Sequence, residues 1–262
     1  MNFTRAIVRA PARNFADGLS SAAEGAPDIE RALEQHASYV QALRDCGLDV
    51  TCLEPDGMYP DGTFVEDTSI VTERGAILAR PGAPSREGEV RSIGECLRNF
   101  YPDLPRIAAP GSVDGGDICE ADGHFLIGVS ARTNAHGAHQ LAQHLGRWGY
   151  TSSTIDIRGN PALLHLKSGI AYLGGGLWAA VGSGIEEQLR SQDGINIRDL
   201  IRVPPSESYA ANCVRVNQVV FVADGYPQMS DALRSRGCQA VHLDMSEFRK
   251  MDGGLSCLSL RF

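Results

Sequence analysis

The sequence lacks the features that usually accompany nucleic-acid or membrane partners. It has no run of Lys or Arg and no stretch where basic and aromatic residues interleave, and aromatic residues make up only 6% of its 262 residues. Acidic residues outnumber basic ones by 32 to 24, so the formal net charge is −8. An acidic surface repels phosphate backbones and anionic lipids, so neither nucleic acid nor a membrane is expected as a partner.

Targeting segments and disulfide patterns are also missing. The opening "MNFTRAIVRAPARNF" has no apolar run of signal-peptide length, and no segment is long enough to span a bilayer. The seven cysteines are scattered, odd in number and without a CxxC pair, which argues against a disulfide framework or a zinc ribbon. These observations predict a cytoplasmic protein.

Cofactor motifs are absent as well. No G-x-G-x-x-G follows a predicted strand, and there is no P-loop or EF-hand loop. His136, His139 and His144 share a predicted helix, but their spacing is not that of the HExxH metalloproteases. We therefore expect no nucleotide cofactor and no metal, and we place these three histidines on the surface.

The clearest positive feature is an internal repeat. Five stretches combine a polar start, an apolar strand, a turn and a second apolar strand, and they begin near residues 64, 113, 164, 211 and 255. They read "FVEDTSIVTERGAILA", "VDGGDICEADGHFLIG", "LHLKSGIAYLGGGLWAAV", "ANCVRVNQVVFVA" and "LSCLSLRF". The turns "ERG", "ADG", "GGG" and "NQ" predict hairpins, and helical patterns follow them, the third being shorter. The period of about 45 to 50 residues is typical of repeat architectures.

The fifth unit is divided between the two ends of the chain. "LSCLSLRF" supplies one strand, "RAIVRAP" its hairpin partner, and "PDIERALEQHASYVQALRDCG" the helix, with Asp28 as N-cap and Gly47 as stop. This arrangement predicts an α/β fold of five ββαβ units, closed into a ring by pairing of the first and last strands. The alternative is an open α/β sheet with a coincidental period. We expect residues 1–262 to form one domain.

Each unit begins with polar residues that a buried strand would not favour. In a ring these positions converge on one central cavity, where buried charges must satisfy one another. They are Glu66 and Asp67, Asp114 and Asp117, His165, Asn212 and Cys257. Of the adjacent acids in the apolar strand "FVEDTSI", one can face the cavity while the other holds neighbouring groups, because strand neighbours point to opposite faces.

Two of these residues allow two interpretations each. Cys257 follows Gly253 and Gly254 and stands five residues from the end; it is either a buried small hydrophobe or a nucleophile. His165 lies in the apolar stretch "ALLHLKSGIAYL" and alone would be a hydrogen-bonded core histidine. Its repeat position, shared with the acids and Cys257, favours a role in chemistry.

The ordered set "FVEDTSI", "VDGGDI", "SARTN", "LHLKSG", "SYAANC" and "MDGGLSC" closely resembles the dimethylarginine dimethylaminohydrolase family of guanidino-modifying enzymes. The likeness runs from about Arg9 to the C-terminus. It implies a five-bladed α/β propeller, in agreement with the repeat, and a cofactor-free enzyme whose partner is a small molecule. Related bacterial enzymes imply a homodimer.

The resemblance also implies a role for particular residues. It makes Cys257 the nucleophile, His165 the general acid and base, and Asp114 the acid that orients His165. Acidic substrate ligands would be Asp61, Glu66 and Asp67, with Asp67 nearest the guanidinium. Arg86 and Arg132 would hold the substrate carboxylate, and Leu19 and Met251 would offer backbone carbonyls to its amine. The segment "ADGLSS" around Leu19 would be a lid.

The reaction implied is hydrolysis of Nω-methylated L-arginine to L-citrulline and dimethylamine or methylamine, through a thiouronium bound to Cys257. Which substituent is preferred stays open. The rivals are arginine deiminases and amidinotransferases, both longer than this chain, and a non-catalytic arginine-binding relative, which would be expected to lack Cys257, His165 or Asp114. A purely structural propeller is disfavoured because buried polar unit starts would destabilise it.

Overall fold

A computed structural model describes residues 2–262, and its strands are short. They are β1 (Arg5–Arg9), β2 (Asp49–Leu53), β3 (Ser69–Thr72), β4 (Gly75–Leu78), β5 (Ile118–Ala121), β6 (His124–Val129), β7 (Thr151–Asp156), β8 (Ile170–Gly174), β9 (Leu177–Val181), β10 (Asp199–Val203), β11 (Val214–Val216), β12 (Val219–Ala223), β13 (Gln239–Leu243) and β14 (Leu260–Arg261). Four hairpins, β3–β4, β5–β6, β8–β9 and β11–β12, lie where the turn sequences predict them.

The helices are α1 (Ile29–Asp45), α2 (Val90–Leu97), α3 (Ala135–Arg147), α4 (Gly182–Arg190), α5 (Pro227–Arg234) and α6 (Ser246–Arg249). Five of the helices lie on the segments with helical spacing, and the short sixth helix, α6, has no counterpart among those segments. The predicted cap of α1 is confirmed, since the Asp28 side chain accepts hydrogen bonds from the N–H groups of Glu30 and Arg31. Gly47, just beyond α1, has φ +86°, a conformation that glycine adopts without steric penalty.

The strands form five small sheets rather than one large one. Their orders are β14-β1-β2, β3-β4, β5-β6-β7, β8-β9-β10 and β11-β12-β13. In each three-stranded sheet an antiparallel pair is extended by a parallel strand that follows the helix. In the β3–β4 sheet a parallel bridge between Leu78 and Arg106 takes the place of the third strand. The ββαβ unit is therefore confirmed.

The divided fifth unit is also confirmed. β1 and β14 pair antiparallel, with Ala6 opposite Arg261 and Ile7 opposite Leu260. The carbonyl oxygen of Phe262 accepts hydrogen bonds from the N–H groups of Thr4 and Arg5. Backbone pairing of the last residues fixes the C-terminal segment that carries Cys257.

Short 3-10 turns at the unit starts close the ring. They span residues 65–68, 115–117, 166–168, 205–211 and 256–258. The first turn contacts the second and the fifth, and the third contacts the second and the fourth. Asn212, at the end of the fourth turn, hydrogen-bonds to Ser256 in the fifth. This cyclic order is that of a five-bladed propeller and rules out an open sheet, while the single domain over residues 1–262 stays a prediction.

One local prediction is wrong. The acids of "FVEDTSI" lie in the 3-10 turn Val65–Thr68, and strand β3 begins only at Ser69. Cys257 likewise lies in a turn, Ser256–Leu258, before β14. The backbone must turn away from the axis at these positions, so the polar residues stand at the strand entrances rather than within strands. Across residues 2–262, no helix has both the length and the apolar character needed to cross a bilayer.

Candidate active site

The turns bring most of the predicted site residues into one narrow cleft at the axis of the ring. Its lining comprises Leu19, Asp61, Phe64, Asp67, Arg86, Arg132, Leu164, His165, Met251, Asp252, Gly253 and Cys257. Four residues predicted at the central cavity are not in the lining: Asp114, which lies directly behind His165, and Glu66, Asp117 and Asn212. Sequence reasoning gave no role to Phe64 or Leu164, which are ordinary apolar residues next to functional ones.

His165 and Asp114 form the central pair of the cleft. Nε2 of His165 lies 3.1 Å from Oδ2 of Asp114, and both residues are buried. The backbone N–H of Gly82 donates to the other carboxylate oxygen at 2.7 Å, and Nη1 of Arg132 lies 3.9 Å from Oδ2. Asp114 is thus fixed from several sides and can hold the imidazole in one orientation.

The surroundings of His165 favour its charged form. Burial disfavours the imidazolium, but the carboxylates of Asp67, Asp114 and Asp117 outweigh it and raise the pKa of His165 to about 9. Asp117 does not touch the cleft; it accepts hydrogen bonds from the Ser130 hydroxyl and the Leu166 N–H. At neutral pH the resting imidazole therefore carries a proton that it can donate.

Asp67 is held by a buried arginine. Its Oδ2 lies 2.6 Å from Nη1 of Arg86, and its Oδ1 accepts the Gly116 N–H at 2.8 Å. Burial opposes ionisation, yet His165 and Arg86 lower the pKa of Asp67 to about 2. Asp67 is therefore an anion in the cleft.

Arg86 has further partners that sequence reasoning missed. Its guanidinium also contacts Glu89 at 2.8 Å and donates to the Phe64 carbonyl at 3.0 Å. The only sequence signal was the spacing of three residues within "SREGE". Arg86 lines the cleft but is paired with two carboxylates, so its contact with a substrate carboxylate stays a prediction.

Cys257 is half-buried in a tight turn. Its Sγ lies 3.4 Å from the Gly254 nitrogen, and its own N–H donates to the Gly254 carbonyl. A Cβ on Gly253 would come within 2.2 Å of the Phe64 ring, and one on Gly254 within 2.6 Å of the Asn212 amide. Both glycines are required because the turn packs directly against neighbouring units.

The resting thiol is strongly protonated. Burial, followed by the negative charges of Glu66 and Asp67, raises the pKa of Cys257 to about 12. A thiolate is the nucleophilic form of cysteine. In the resting cleft Cys257 is therefore in the thiol form.

Glu66 points away from its neighbour Asp67. One acid of the pair therefore faces the cleft while the other holds neighbouring groups, as the sequence predicts. Its Oε1 lies 2.5 Å from Nζ of Lys167, and its Oε2 accepts the Ser256 hydroxyl at 2.7 Å. Glu66, Lys167 and Ser256 line a separate cavity, which shares no lining residue with the cleft. Glu66 as a substrate ligand stays a prediction, and this position does not favour it.

The segment around Leu19 lies over the cleft and is tied to its rim. The Leu19 N–H lies 3.1 Å from both carboxylate oxygens of Asp61, and the Ser21 N–H donates to Asp252 at 2.5 Å. Leu19 is 43% exposed, whereas Met251 beneath it is buried. These contacts place both predicted backbone ligands at the cleft mouth.

The donor atoms closest to a metal-binding arrangement belong to Asp67, Asp114 and His165. Each already has a partner, because Asp114 bonds His165 and Asp67 bonds Arg86. His136 and His139 lie exposed on α3, and His144 is half-buried there.

The chain is similar to proteins of known function. The chain is 45% identical over 261 residues to N(G),N(G)-dimethylarginine dimethylaminohydrolase of Pseudomonas aeruginosa, covering 99% of this chain and all of that protein. The chain belongs to the dimethylarginine dimethylaminohydrolase family. No family model matches the sequence.

Solved structures agree with this membership. A cysteine-to-serine mutant of the Pseudomonas aeruginosa enzyme in complex with citrulline superimposes with a TM-score of 0.92 at 44% identity, covering both chains completely. A histidine-to-glycine dimethylarginine dimethylaminohydrolase, as an adduct with S-methyl-L-thiocitrulline, has a TM-score of 0.93 at 45% identity, covering 99% of this chain and all of the other. The predicted family and fold class are therefore confirmed.

Proposed function

We propose that this chain hydrolyses Nω-methylated L-arginine to L-citrulline and a methylated amine. The observation that carries the proposal is the meeting of Cys257, His165 and Asp67 in one cleft, in a chain of this family. An anion, an acid and a nucleophile at one point are what hydrolysis of a guanidinium requires, since that group is a poor electrophile until it is oriented and attacked by a strong nucleophile.

Substrate binding would activate the nucleophile. The guanidinium carries a positive charge, and Asp67 is the anion in the cleft that would receive it. That charge, placed beside Cys257, favours loss of the thiol proton to solvent water, since His165 is already protonated, and so lowers the pKa that burial, Glu66 and Asp67 raise. Arg132 and the backbone carbonyls of Leu19 and Met251 would hold the amino-acid end, with Asp61 fixing the lid.

The first half-reaction would expel the amine. The Cys257 thiolate adds to the central guanidinium carbon and gives a neutral tetrahedral adduct. His165, protonated in the resting protein, donates its proton to the methylated nitrogen, and the carbon–nitrogen bond breaks. Dimethylamine or methylamine leaves, and a cationic thiouronium remains on Cys257.

The second half-reaction would release citrulline. Neutral His165, oriented by Asp114, takes a proton from water as the water oxygen adds to the thiouronium carbon. The carbon–sulfur bond then breaks, and the remaining hydroxyl proton passes to the departing thiolate. Citrulline leaves with a carbonyl oxygen derived from water, and Cys257 and His165 return to their starting forms.

The test is citrulline release from asymmetric dimethylarginine, monomethylarginine and unmodified arginine, with Cys257→Ser as the paired variant. We expect turnover of a methylated arginine by the native protein only. His165→Gly should accumulate extra mass on the Cys257 peptide. Exclusive turnover of arginine would instead assign an arginine deiminase activity, and mass on another cysteine would contradict the mechanism.

We also propose a cytoplasmic location and a homodimer. The scattered, free cysteines support a reducing compartment. The homodimer rests on the family resemblance alone, and sedimentation of the purified protein would test it.

A further inference from the structure

Asn212 is a polar residue at the axis that the proposed reaction does not use. It ends the fourth unit-start turn, in "SYAANC", and is half-buried. It lies outside the lining of the cleft, and it bonds to the backbone of the segments that carry His165 and Cys257.

The side-chain amide of Asn212 joins those two segments. Its oxygen accepts the Ser256 N–H at 2.9 Å, and its nitrogen donates to the Lys167 carbonyl at 3.1 Å and the Ser256 hydroxyl at 3.1 Å. Ser256 directly precedes Cys257, and Lys167 follows His165 by two positions. An amide can donate and accept at once, so one side chain fastens both segments.

These bonds are part of a closed ring of four residues. The Ser256 hydroxyl donates to Glu66, Glu66 pairs with Lys167, and the Lys167 carbonyl accepts from Asn212. Glu66, Lys167 and Asn212 come from the first, third and fourth units, and Ser256 from the fifth. We call this set, Glu66, Lys167, Asn212 and Ser256, the floor ring, because it lies beneath the cleft.

The floor ring contacts the turn that carries the sulfur. Gly254, whose N–H faces the Cys257 Sγ, lies so close to Asn212 that a Cβ there would clash with the amide. The Asn212 amide therefore limits how closely the turn at Gly254 can approach. The same amide also bonds the Lys167 carbonyl, in the segment that follows His165. Displacement of reacting groups by about 1 Å can lower a rate by about 100-fold.

We propose that Asn212 is a positioning residue for the hydrolysis, setting the separation of Cys257 and His165 through its bonds to Ser256 and Lys167. The inference rests on the proposed function. Asn212 does not line the cleft, so its loss should slow the chemical steps and leave substrate affinity nearly unchanged.

The test compares Asn212→Ala with Asn212→Asp and with a matched control. Asn212→Ala removes all three bonds; Asn212→Asp keeps the acceptor for the Ser256 N–H but cannot donate to Lys167. The control is Asn217→Gly. Asn217 also joins distant segments, through Phe3 and Cys46, but at the far hairpin, and its φ of +54° suits glycine.

We expect Asn212→Ala to lower kcat by about 10- to 100-fold with KM changed by less than about 3-fold. Asn212→Asp should lower kcat as well. Its charge beside Cys257 should also move the pH optimum of kcat upward, a shift that a general loss of folding would not produce. Asn217→Gly should lower the melting temperature without changing either kinetic constant of the folded enzyme.

Two results would overturn the positioning role: kcat unchanged in both Asn212 variants, or a raised KM with unchanged kcat. If Asn212→Ala does not fold, Asn212→Asp, which has the same shape, decides by its kcat and pH optimum. Failure of the native protein to release citrulline from methylated arginine would instead remove the proposed function, and the positioning role with it.

Discussion

His165 and His36 are both buried, but their surroundings are of opposite character. His165 stands at the axis among Asp67, Asp114 and Asp117, and its pKa is raised to about 9. His36 lies on α1, where burial lowers its pKa to about 4, opposed only by a hydrogen bond to the backbone of Arg9. Burial alone always disfavours the imidazolium, so the difference is due to the carboxylates.

The comparison separates a region built for charge from one built for packing. At the axis, anions and cations are buried together and compensate one another. Around α1, Tyr39 and Leu43 are fully buried, and Tyr39 packs edge-on against Phe221 of the neighbouring unit.

The largest expected effect is on activity. His165→Gln removes the group that gives and takes the proton, so kcat should fall by about 10²- to 10⁴-fold. His36→Gln, the matched change in the packed region, should leave kcat within about 3-fold. Steady-state citrulline release measures both, and an equal loss in the two variants would show that the contrast has no catalytic meaning.

The general plan of the axis could be predicted from the sequence, because it follows from the repeat. Polar residues at matching unit positions had to converge once the ring closed, and Asp67, His165 and Cys257 do so. Hairpin turns and the Asp28 cap depend on short-range chemistry, which a local sequence reveals.

The pairings within the axis could not be predicted in the same way. Lys167 bonds Glu66 across 101 positions, and Asn212 bonds Ser256 across 44. Such contacts depend on how neighbouring units dock and on side-chain rotamers, neither of which has a sequence period. The placement of Glu66 and Asp67 in a strand failed for a related reason: the backbone at the axis turns before the strand begins.

The second prediction tests charge compensation at the axis. Arg86→Met should lower the free energy of unfolding by about 3–5 kcal/mol, because Asp67 and Glu89 would stay buried without their shared cation. Arg158→Met, which breaks an exposed pair with Asp156, should leave the free energy of unfolding nearly unchanged. Urea unfolding at pH 7 measures both. A loss no greater for Arg86→Met than for Arg158→Met would mean that the buried carboxylates are not ionised together.

The smallest expected effect is a loss of folding stability at acidic pH, caused by His36 in the packed region. The pKa of His36 is about 4 in the folded protein and near 6.5 when unfolded, so between these values the unfolded chain binds the additional proton. The stability that neutral His36 contributes is therefore present above pH 6.5 and is lost as the pH falls toward 4, by about 3 kcal/mol in full. About 2 kcal/mol of this should be lost between pH 7 and pH 5.

The native protein alone cannot display this loss, because Glu120 titrates in the same range with the opposite sign. Burial and the nearby Glu73 raise the pKa of Glu120 to about 7, so its protonation favours the folded state as the pH falls. The measurement is therefore a difference: urea unfolding of the native protein and of His36→Gln at pH 7 and pH 5. Gln carries no proton to gain, so the native protein should lose about 2 kcal/mol more than the variant over this interval. Identical changes in the two proteins would mean that His36 is protonated or hydrated in the folded state, and the contrast with His165 would then be wrong.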